Sequence, residues 1–320
     1  MRVVLIGSVN SSLHTLNKLI CYNFKLVGVF GFEPTDASKV SGWVSMREKC
    51  EKNNIKYFPF KKINDSDNII KIKKLKPSII FVVGLSQLVS SSILSIPKLG
   101  CIGFHPTALP KGRGRAPMAW LILRENIGAA TFFLIGEGTD DGPIFIQEFF
   151  NVSDIDTAKT IQEKILKSID KALDKWLPNL KKGIWEPNPQ DHSIAYAYEK
   201  RTPLDGWINW EKGTEEIDLL IRATTKPYPG AFTYYNDYKL VIWSARIEGN
   251  IKITGVNGYV LLVRDKALLV QTGNGLLWLL DYEFFDFNGK DVKISRPIKV
   301  GEKLGYNVEY EIFKLRNKLL

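Results

Sequence analysis

Residues 77–106, "PSIIFVVGLSQLVSSSILSIPKLGCIGFHP", contain the pattern that decides the fold. The run "SIIFVV" at 78–83 is continuously apolar, which is typical of a strand buried on both faces of a sheet. A second short apolar run, "CIGF" at 101–104, leads directly into His105. Buried strands of this kind occur mainly in parallel sheets that carry helices on both faces.

The chain before this stretch alternates between predicted strands and helices. Such alternation predicts a parallel sheet whose functional sites lie beyond the carboxyl ends of the strands. After the first strand the chain has "GSVNSS" rather than G-x-G-x-x-G, so a nicotinamide cofactor has little support. The predicted strands are Val3–Ile6 and Leu26–Phe30, and the predicted helices are Leu13–Ile20, Trp43–Asn53 and Ile69–Leu75.

The second half of the chain has a different texture. A helix is predicted over Ala158–Leu177 from its apolar face. Residues 179–206 are rich in Pro, Asn, Lys and aromatic residues, as in a crossing linker. After a short helix over Glu215–Thr224, five short strand-like runs are separated by Gly and Asn turns. This spacing predicts a small antiparallel barrel.

Length and charge leave the partner open. The chain has 320 residues, 45% of them hydrophobic, with a net charge of +10 and a pI near 9.3. This size allows two domains, and the charge favours an anionic partner, which could be nucleic acid, a phosphate-bearing small molecule or an acidic membrane surface. The lysines are mostly scattered singly, which favours solvated faces over a nucleic-acid track.

The cysteines and the apolar runs bear on the cell compartment. Cys21, Cys50 and Cys101 are widely spaced and form neither a CxxC metal pair nor a disulfide framework, which favours a reducing cytoplasm and gives no metal ligands. The start, "MRVVLIGSVN", is typical of a buried strand and not of a signal peptide. No apolar run approaches the roughly 20 residues of a membrane span. We expect a soluble, cytoplasmic protein.

The stretch "GFHPTALPKGRGRAP" at 103–117 is a candidate site. His105 is predicted at a strand end, and Pro106 and Pro110 stiffen the loop behind it. The acidic segment "EGTDDGPI" at 137–144 follows another predicted strand, "ATFFLI". A His and an Asp at adjacent strand ends could act as a general base and its orienting partner. The alternative is a histidine that only packs at a strand end.

These residues carry a family resemblance. "HPTALPKGRGRAPMAW" followed by "ATFFLIGEGTDDGPIFIQ" resembles the formyltransferases that use 10-formyltetrahydrofolate, which include methionyl-tRNA formyltransferase and the sugar-nucleotide N-formyltransferases. The family pattern is Asn-x-His before a Ser/Thr-x-Leu-Pro loop, then Asp-x-Gly, and His105 and Asp140 fall on its positions. Residues 77–106 and 199–235 are also similar to family segments, so that the resemblance spans roughly 75–245.

The resemblance implies a fold and a domain division. It implies a Rossmann-like parallel-sheet catalytic domain over 1–203, with a linker from about 180, and a smaller OB-like antiparallel β-barrel over 204–320. The sequence leaves the oligomeric state open, with a homodimer as one possibility, since the family's sugar enzymes are often dimers through the second domain.

The resemblance also implies a chemistry. His105 would take a proton from the acceptor amine as the amine attacks the formyl carbon of 10-formyltetrahydrofolate, and Asp140 would fix the imidazole tautomer and stabilise the imidazolium. The turn "GLSQLV" matches the segment whose backbone lines the pterin ring, although alone it could be a plain strand-to-helix turn. The implied donor-binding residues are Gly84, Leu85, Ser86, Gln87, Leu88 and Asp140.

One position departs from the family pattern. Gly103 stands where the family usually has the Asn that helps to bind the developing oxyanion. A single oxyanion donor is typically worth about 3 kcal/mol, so an active enzyme needs a substitute. Because His105 and Asp140 remain, we favour an active subfamily over a degenerate, non-catalytic member.

The predicted acceptor is a nucleotide-linked amino sugar, a UDP- or TDP-linked dideoxy amino sugar for surface polysaccharide (O-antigen) synthesis. The segment at 31–46 is similar to one in sugar formyltransferases that act on 4-amino sugars. Methionyl-tRNA formyltransferase is the alternative, since it also has a basic loop. Five cations are predicted to bind the phosphates and the nucleotide: Lys111, Arg113, Arg115, Lys200 and Arg201. Lys200 and Arg201 lie beside Tyr196 and Tyr198. The alternative for this segment is a linker that its aromatic residues hold in place.

Overall fold

The computed structural model describes residues 1–37, 40–294, 296–306 and 308–318. Ser38 and Lys39, in the segment that resembles sugar enzymes, lie outside the described residues. The chain divides into two compact units, the first built from Met1–Asp154 and Thr160–Lys200 and the second from Ile155–Lys159 and Arg201–Leu320.

The first unit is an α/β structure. Its helices are α1 (Asn10–Cys21), α2 (Arg47–Lys52), α3 (Ser66–Leu75), α4 (Ser91–Leu94), α5 (Pro117–Arg124) and α6 (Ala158–Lys181), the last beginning with two residues of the second unit. Its strands are β1 (Arg2–Gly7), β2 (Lys25–Phe32), β3 (Tyr57–Phe60), β4 (Ile79–Val82), β5 (Cys101–Thr107), β6 (Arg113–Gly114), β7 (Ile127–Leu134), β8 (Ile144–Asn151) and β9 (Ala197–Tyr198).

Seven of these strands form one sheet, in the order β3-β2-β1-β4-β5-β7-β8. The strands from β3 to β5 pair in parallel, whereas β5 with β7 and β7 with β8 pair antiparallel. The apolar runs of β1 and β4 lie side by side at the centre, where Val4 pairs with Ile80, and both side chains are fully buried. Continuous hydrophobic runs thus occupy the strands that are covered on both faces.

Several elements differ from the sequence-based expectation. The helix predicted from Trp43 begins only at Arg47, because the Trp43 indole donates to the Phe32 carbonyl and Val44 N–H to the Ser8 carbonyl. The short strand β3 was not predicted. The helix that starts at Ala158 continues through Pro178 to Lys181, beyond the predicted end at Leu177.

Over the residues that the structure describes, the second unit is an antiparallel β structure with two α-helices. Its sheet has the order β10-β11-β14-β13-β12, with β15 paired to β14, and its core is made of inward-facing residues such as Leu240, Val270 and Leu277. The strands are β10 (Ala231–Tyr235), β11 (Tyr238–Glu248), β12 (Val260–Arg264), β13 (Ala267–Thr272), β14 (Gly275–Phe285) and β15 (Asp291–Val292), and the helices are α7 (Thr214–Thr224) and α8 (Val308–Lys318).

The predicted fold class is confirmed: an α/β unit with a largely parallel sheet is followed by an antiparallel β unit. The closure of the second sheet into an OB-like barrel stays a prediction. In the ranges that the structure describes, none of the helices combines the length and the apolar content that crossing a membrane requires.

Candidate active site

His105 lies inside β5, and its side chain is almost fully buried. Its Nδ1 is 3.3 Å from Oδ2 of Asp140, and its Nε2 is 2.9 Å from the carbonyl oxygen of Gly112. Because a carbonyl can only accept, the proton of this bond is on Nε2, which donates to Gly112. Both ring nitrogens therefore face oxygen acceptors.

Asp140 reaches His105 by a different route from the one expected. The two residues were predicted at adjacent strand ends, but β7 runs antiparallel to β5, so the loop at 135–143 (the aspartate loop) leaves β7 beside the start of β5 and folds back. Gly142 permits this fold, since a Cβ there would lie 1.7 Å from the Leu134 carbonyl oxygen. Asp140 itself is held in the left-handed region at φ 51°.

Residues 108–115 (the basic loop) follow β5 and are held from several sides. Thr107 Oγ1 donates to the Lys111 carbonyl at 2.9 Å, and Gly114 N–H donates to Oδ2 of Asp140 at 2.9 Å. The short strand β6 in this loop pairs in parallel with β9, which the sequence placed in a crossing linker. Segment 188–199 is thus part of the site-bearing unit.

The five predicted phosphate-binding cations differ in exposure and in the unit to which they belong. Lys111, Arg115 and Lys200 are exposed. Arg113 is half-buried, with Nη2 2.7 Å from Oε1 of Gln190 and 3.2 Å from Nδ1 of His192. Arg201 belongs to the second unit, where it donates to the Asp205 carbonyl and where desolvation lowers the pKa of its guanidinium.

The two tyrosines of β9 and its flank are pinned within the first unit. Tyr196 and Tyr198 both donate to Oε1 of Glu125, at 2.5 and 2.6 Å, and Tyr198 stacks on Trp120 with ring centroids 4.8 Å apart. Desolvation and the bond to Glu125 raise the pKa of Tyr196 to about 12. These contacts correspond to the alternative prediction, in which aromatic residues anchor the segment.

The loop between β4 and α4, residues 83–90 (the β4 loop), contains the predicted donor-binding residues. Gln87 fixes it, since its amide donates to the Lys61 carbonyl at 2.7 Å and accepts Ile63 N–H at 2.9 Å. Among the described residues, the backbone N–H groups of 84–89 have no protein acceptor. Leu88 is 88% exposed, which leaves an apolar side chain beside these free donors.

The position of Gly103 is closed to a side chain. A Cβ at this residue would lie 2.7 Å from Cζ of Phe133 and 3.0 Å from Cγ1 of Ile135. Phe133 is its cross-strand partner on β7 and is buried. The aromatic ring therefore occupies the space that the Asn side chain of the family pattern would enter.

Gln190 is a site residue that sequence reasoning missed. Its side chain is buried and contacts both the aspartate loop and Arg113. A lone glutamine in a proline-rich segment has no periodicity that would mark it. In the part of the chain that the structure describes, no three His, Cys, Asp or Glu side chains come together as a metal site would need.

The first unit is an open α/β sheet that carries a paired histidine and aspartate, and an antiparallel β unit follows it along the chain. Residues 34–177 match the model of the formyl transferase family, and residues 200–296 match the family's C-terminal domain. The chain belongs to the formyl transferase family. The predicted family and the predicted class of enzyme are confirmed.

Two relatives show how the chain compares in sequence. It is 36% identical over 235 residues to the bifunctional polymyxin resistance protein ArnA of Wigglesworthia glossinidia brevipalpis, covering 73% of this chain but only 36% of that protein. It is 32% identical over 250 residues to the methionyl-tRNA formyltransferase of Thermodesulfovibrio yellowstonii, covering 78% of each.

Two solved structures show the same fold. HypX from Aquifex aeolicus in complex with tetrahydrofolic acid is 17% identical with a TM-score of 0.65, over 96% of this chain and 51% of HypX. The N-formyltransferase from Helicobacter canadensis, in complex with folinic acid and dTDP-3-aminofucose, is 20% identical with a TM-score of 0.65, over 88% of this chain and 98% of that one.

Proposed function

We propose that the protein transfers a formyl group from 10-formyltetrahydrofolate to the primary amine of a nucleotide-linked amino sugar. The observation that carries the transfer chemistry is the pair of buried His105 and partly exposed Asp140, with Nδ1 and Oδ2 3.3 Å apart, in a chain of this family. The family uses 10-formyltetrahydrofolate, the donor that the sequence predicted.

The β4 loop fits the donor. A pterin ring presents hydrogen-bond acceptors and donors along its edge, and the unpartnered backbone N–H groups of 84–89 supply matching donors. Exposed Leu88 supplies an apolar surface for the ring. Ligand pockets typically combine such apolar lining with a few fixed polar groups. The donor's role is to present an activated formyl carbon to the acceptor.

His105 takes the proton that the amine must lose. A nitrogen–carbon bond forms between the amine and the formyl carbon, the bond from that carbon to N10 of the folate breaks, and the proton passes through His105 to N10. Asp140 faces Nδ1, so Nε2 is the nitrogen that exchanges this proton, and the carboxylate stabilises the imidazolium. General acid–base catalysis of this kind contributes about 10²–10⁴-fold.

In the resting arrangement Nε2 donates its proton to the Gly112 carbonyl. Before the exchange, this carbonyl has to leave and the ring proton has to be on Nδ1, where Asp140 accepts it, so that Nε2 has a free lone pair. The carbonyl oxygen lies 2.9 Å from Nε2, in the direction from which the amine would approach. Gly112 and Gly114 have φ values of 70° and 100°, which glycine adopts without the strain of a side chain. An incoming amine therefore replaces the carbonyl as the partner of Nε2.

The charge available at the basic loop supports a sugar nucleotide as acceptor. Lys111 and Arg115 are its two exposed cations, since Arg113 is engaged by Gln190 and His192. Two cations suit a diphosphate, whereas binding of an RNA stem depends on many phosphate contacts. The second candidate acceptor is methionyl-tRNA, favoured by the 32% identity to a methionyl-tRNA formyltransferase over 78% of each chain.

The test is a direct comparison of acceptors. The pure protein is incubated with 10-formyltetrahydrofolate and either a panel of UDP- and TDP-linked amino sugars or charged initiator tRNA, and mass spectrometry detects the gain of one formyl group. We expect formylation of an amino sugar. Formylation of tRNA with no activity on any amino sugar would overturn the proposal in favour of the second candidate.

Charge substitution sharpens this comparison. Lys111→Gln together with Arg115→Gln should raise KM for the sugar nucleotide about tenfold or more, because a charge-assisted hydrogen bond is worth about 1.5–3 kcal/mol, and should leave kcat nearly unchanged. Lys200→Gln, at another exposed cation, shows whether the nucleotide also extends along the 188–199 segment. A steep loss of acceptor affinity with salt would indicate many phosphate contacts and so the tRNA.

A further inference from the structure

Gln190 joins the two loops that carry the site. Its Nε2 donates to the carbonyl of Asp140 at 2.8 Å and to that of Gly142 at 2.7 Å. Its Oε1 accepts from Nε and Nη2 of Arg113 at 3.2 and 2.7 Å. The side chain is only 6% exposed, and its amide is saturated, with both N–H groups donating and the oxygen accepting twice.

The aspartate loop needs such support. Asp140 has a left-handed backbone conformation, which costs a non-glycine residue of order 1 kcal/mol and persists where the surroundings hold it. The carboxylate is tied to the basic loop by Gly114 N–H, but that bond acts on the side chain. The bonds from Gln190 fix the carbonyls of Asp140 and Gly142, which set the direction in which the Asp140 side chain leaves the backbone.

We propose that Gln190 is a positioning residue. Its amide holds the aspartate loop against Arg113 of the basic loop, in the position that places Oδ2 of Asp140 beside Nδ1 of His105. Its effect on turnover rests on the proposed function, whereas its effect on His105 does not. Gln190 acts through Asp140 and has no contact with His105 among its hydrogen bonds.

The structural test uses the histidines as reporters. The chain has three: His105 reports the pair with Asp140, His192 reports Arg113, and His14, which faces Asp170, is an internal reference. In Gln190→Met, which retains the volume but not the hydrogen bonds, the NMR ring signals of His105 and His192 should move at fixed pH while that of His14 stays.

A matched control variant distinguishes an effect on the position of Asp140 from the general effect of removing a buried amide. Gln271 in the second unit is 7% exposed, donates to the Thr272 and Gly275 carbonyls and accepts Gly255 N–H. Gln271→Met should leave the His105 and His192 signals in place. A second variant, Gln190→Glu, keeps an acceptor for Arg113 and loses both donors, so the His105 signal should move further than that of His192.

Kinetics then tests the link to turnover. A displacement of about 1 Å can cost roughly a hundredfold in rate, so Gln190→Met should lower kcat between about tenfold and a hundredfold with KM for the donor nearly unchanged. In an Asp140→Asn background the same change should lower kcat much less, because both act through one carboxylate.

Three results would overturn the proposal. These are an unmoved His105 signal in both Gln190 variants, a loss of kcat that is fully additive with Asp140→Asn, and unfolding of both variants under conditions in which Gln271→Met stays folded. If the wild-type protein formylates no acceptor offered, the proposed function fails, while the NMR comparison still decides the role of Gln190.

Discussion

The β4 loop and the basic loop follow neighbouring parallel strands of one sheet, yet they use their backbones in opposite ways. In the basic loop, most N–H groups are paired inside the first unit, and Tyr196, Tyr198, Gln147 and Asp140 are among the partners of its backbone. In the β4 loop, the N–H groups of 84–89 have no protein acceptor within the described chain. A loop whose backbone is mostly hydrogen-bonded within the protein fixes the geometry of a reacting group, whereas a loop with unpaired N–H groups offers hydrogen bonds to a ligand.

Removal of His105, the reacting group that the basic loop holds in place, should have the largest effect on turnover. We expect His105→Ala to lower kcat by about 10⁴-fold, the upper range for a general acid–base residue, with donor affinity nearly intact because the β4 loop is untouched. Single-turnover formyl transfer, followed by mass spectrometry, measures the loss, and donor binding is measured separately by fluorescence. Near-full turnover in His105→Ala would show that the pair is not the reacting centre.

Substitution of Asp140 should have the next largest effect. In Asp140→Asn the residue keeps its shape but cannot stabilise an imidazolium, so kcat should fall by about 10²–10³-fold. Asp141→Asn, at the adjacent residue of the same loop, is the matched control and should lose much less. Equal losses in the two variants would assign the effect to the loop and not to the His105 partner.

A substitution at Gly103 tests whether the packing around β5 can accept the Asn side chain of the family pattern. Gly103→Asn should destabilise the protein by about 1–3 kcal/mol through overpacking against Phe133, seen as a lower Tm, and should not raise kcat. Adding Phe133→Leu should recover part of the Tm, because the two side chains compete for one space. A stable Gly103→Asn enzyme with higher kcat would contradict the packing argument.

Loosening the β4 loop should have the smallest effect. Gln87→Ala removes two hydrogen bonds to residues 61–63, each worth about 1 kcal/mol, so KM for the donor should rise about fivefold while kcat stays unchanged. Asn53→Ala removes a comparable amide-to-carbonyl bond in a different part of the first unit and should leave KM as it is. An effect on kcat and not on KM would place this loop at the reaction instead of the donor.

Much of the fold could be predicted because buried parallel strands have a strong local signal. The runs of β1, β4 and β5 and the strand runs of the second unit were located from apolar continuity and turn residues. Strand β3 was missed because Pro59 interrupts a short run, and the direction of β7 was missed because apolar content does not encode whether a neighbour is parallel. Tertiary hydrogen bonds of Trp43 and Val44 shortened the predicted helix.

The site was predictable only where a motif marked it. His105 and Asp140 were named from the sequence and lie 3.3 Å apart, although the route of the aspartate loop was not foreseen. Arg113 illustrates the limit: its charge suggested a phosphate ligand, but its guanidinium contacts Gln190, 77 residues away. Such long-range amide contacts leave no periodic trace in a single sequence.

The backbone bridge between Asn188 and Ile144 determines how far the first unit can be shortened from its C-terminal end without aggregating. Ile144 N–H donates to the Asn188 carbonyl at 2.7 Å and Asn188 N–H to the Ile144 carbonyl at 2.8 Å, so the chain after α6 covers the start of the outermost strand. That strand, "IFIQEFFN", also exposes Phe149. A fragment ending at Lys181 would leave a hydrophobic edge open to pairing with another copy and so to aggregation, whereas one ending at Lys200 retains the cover.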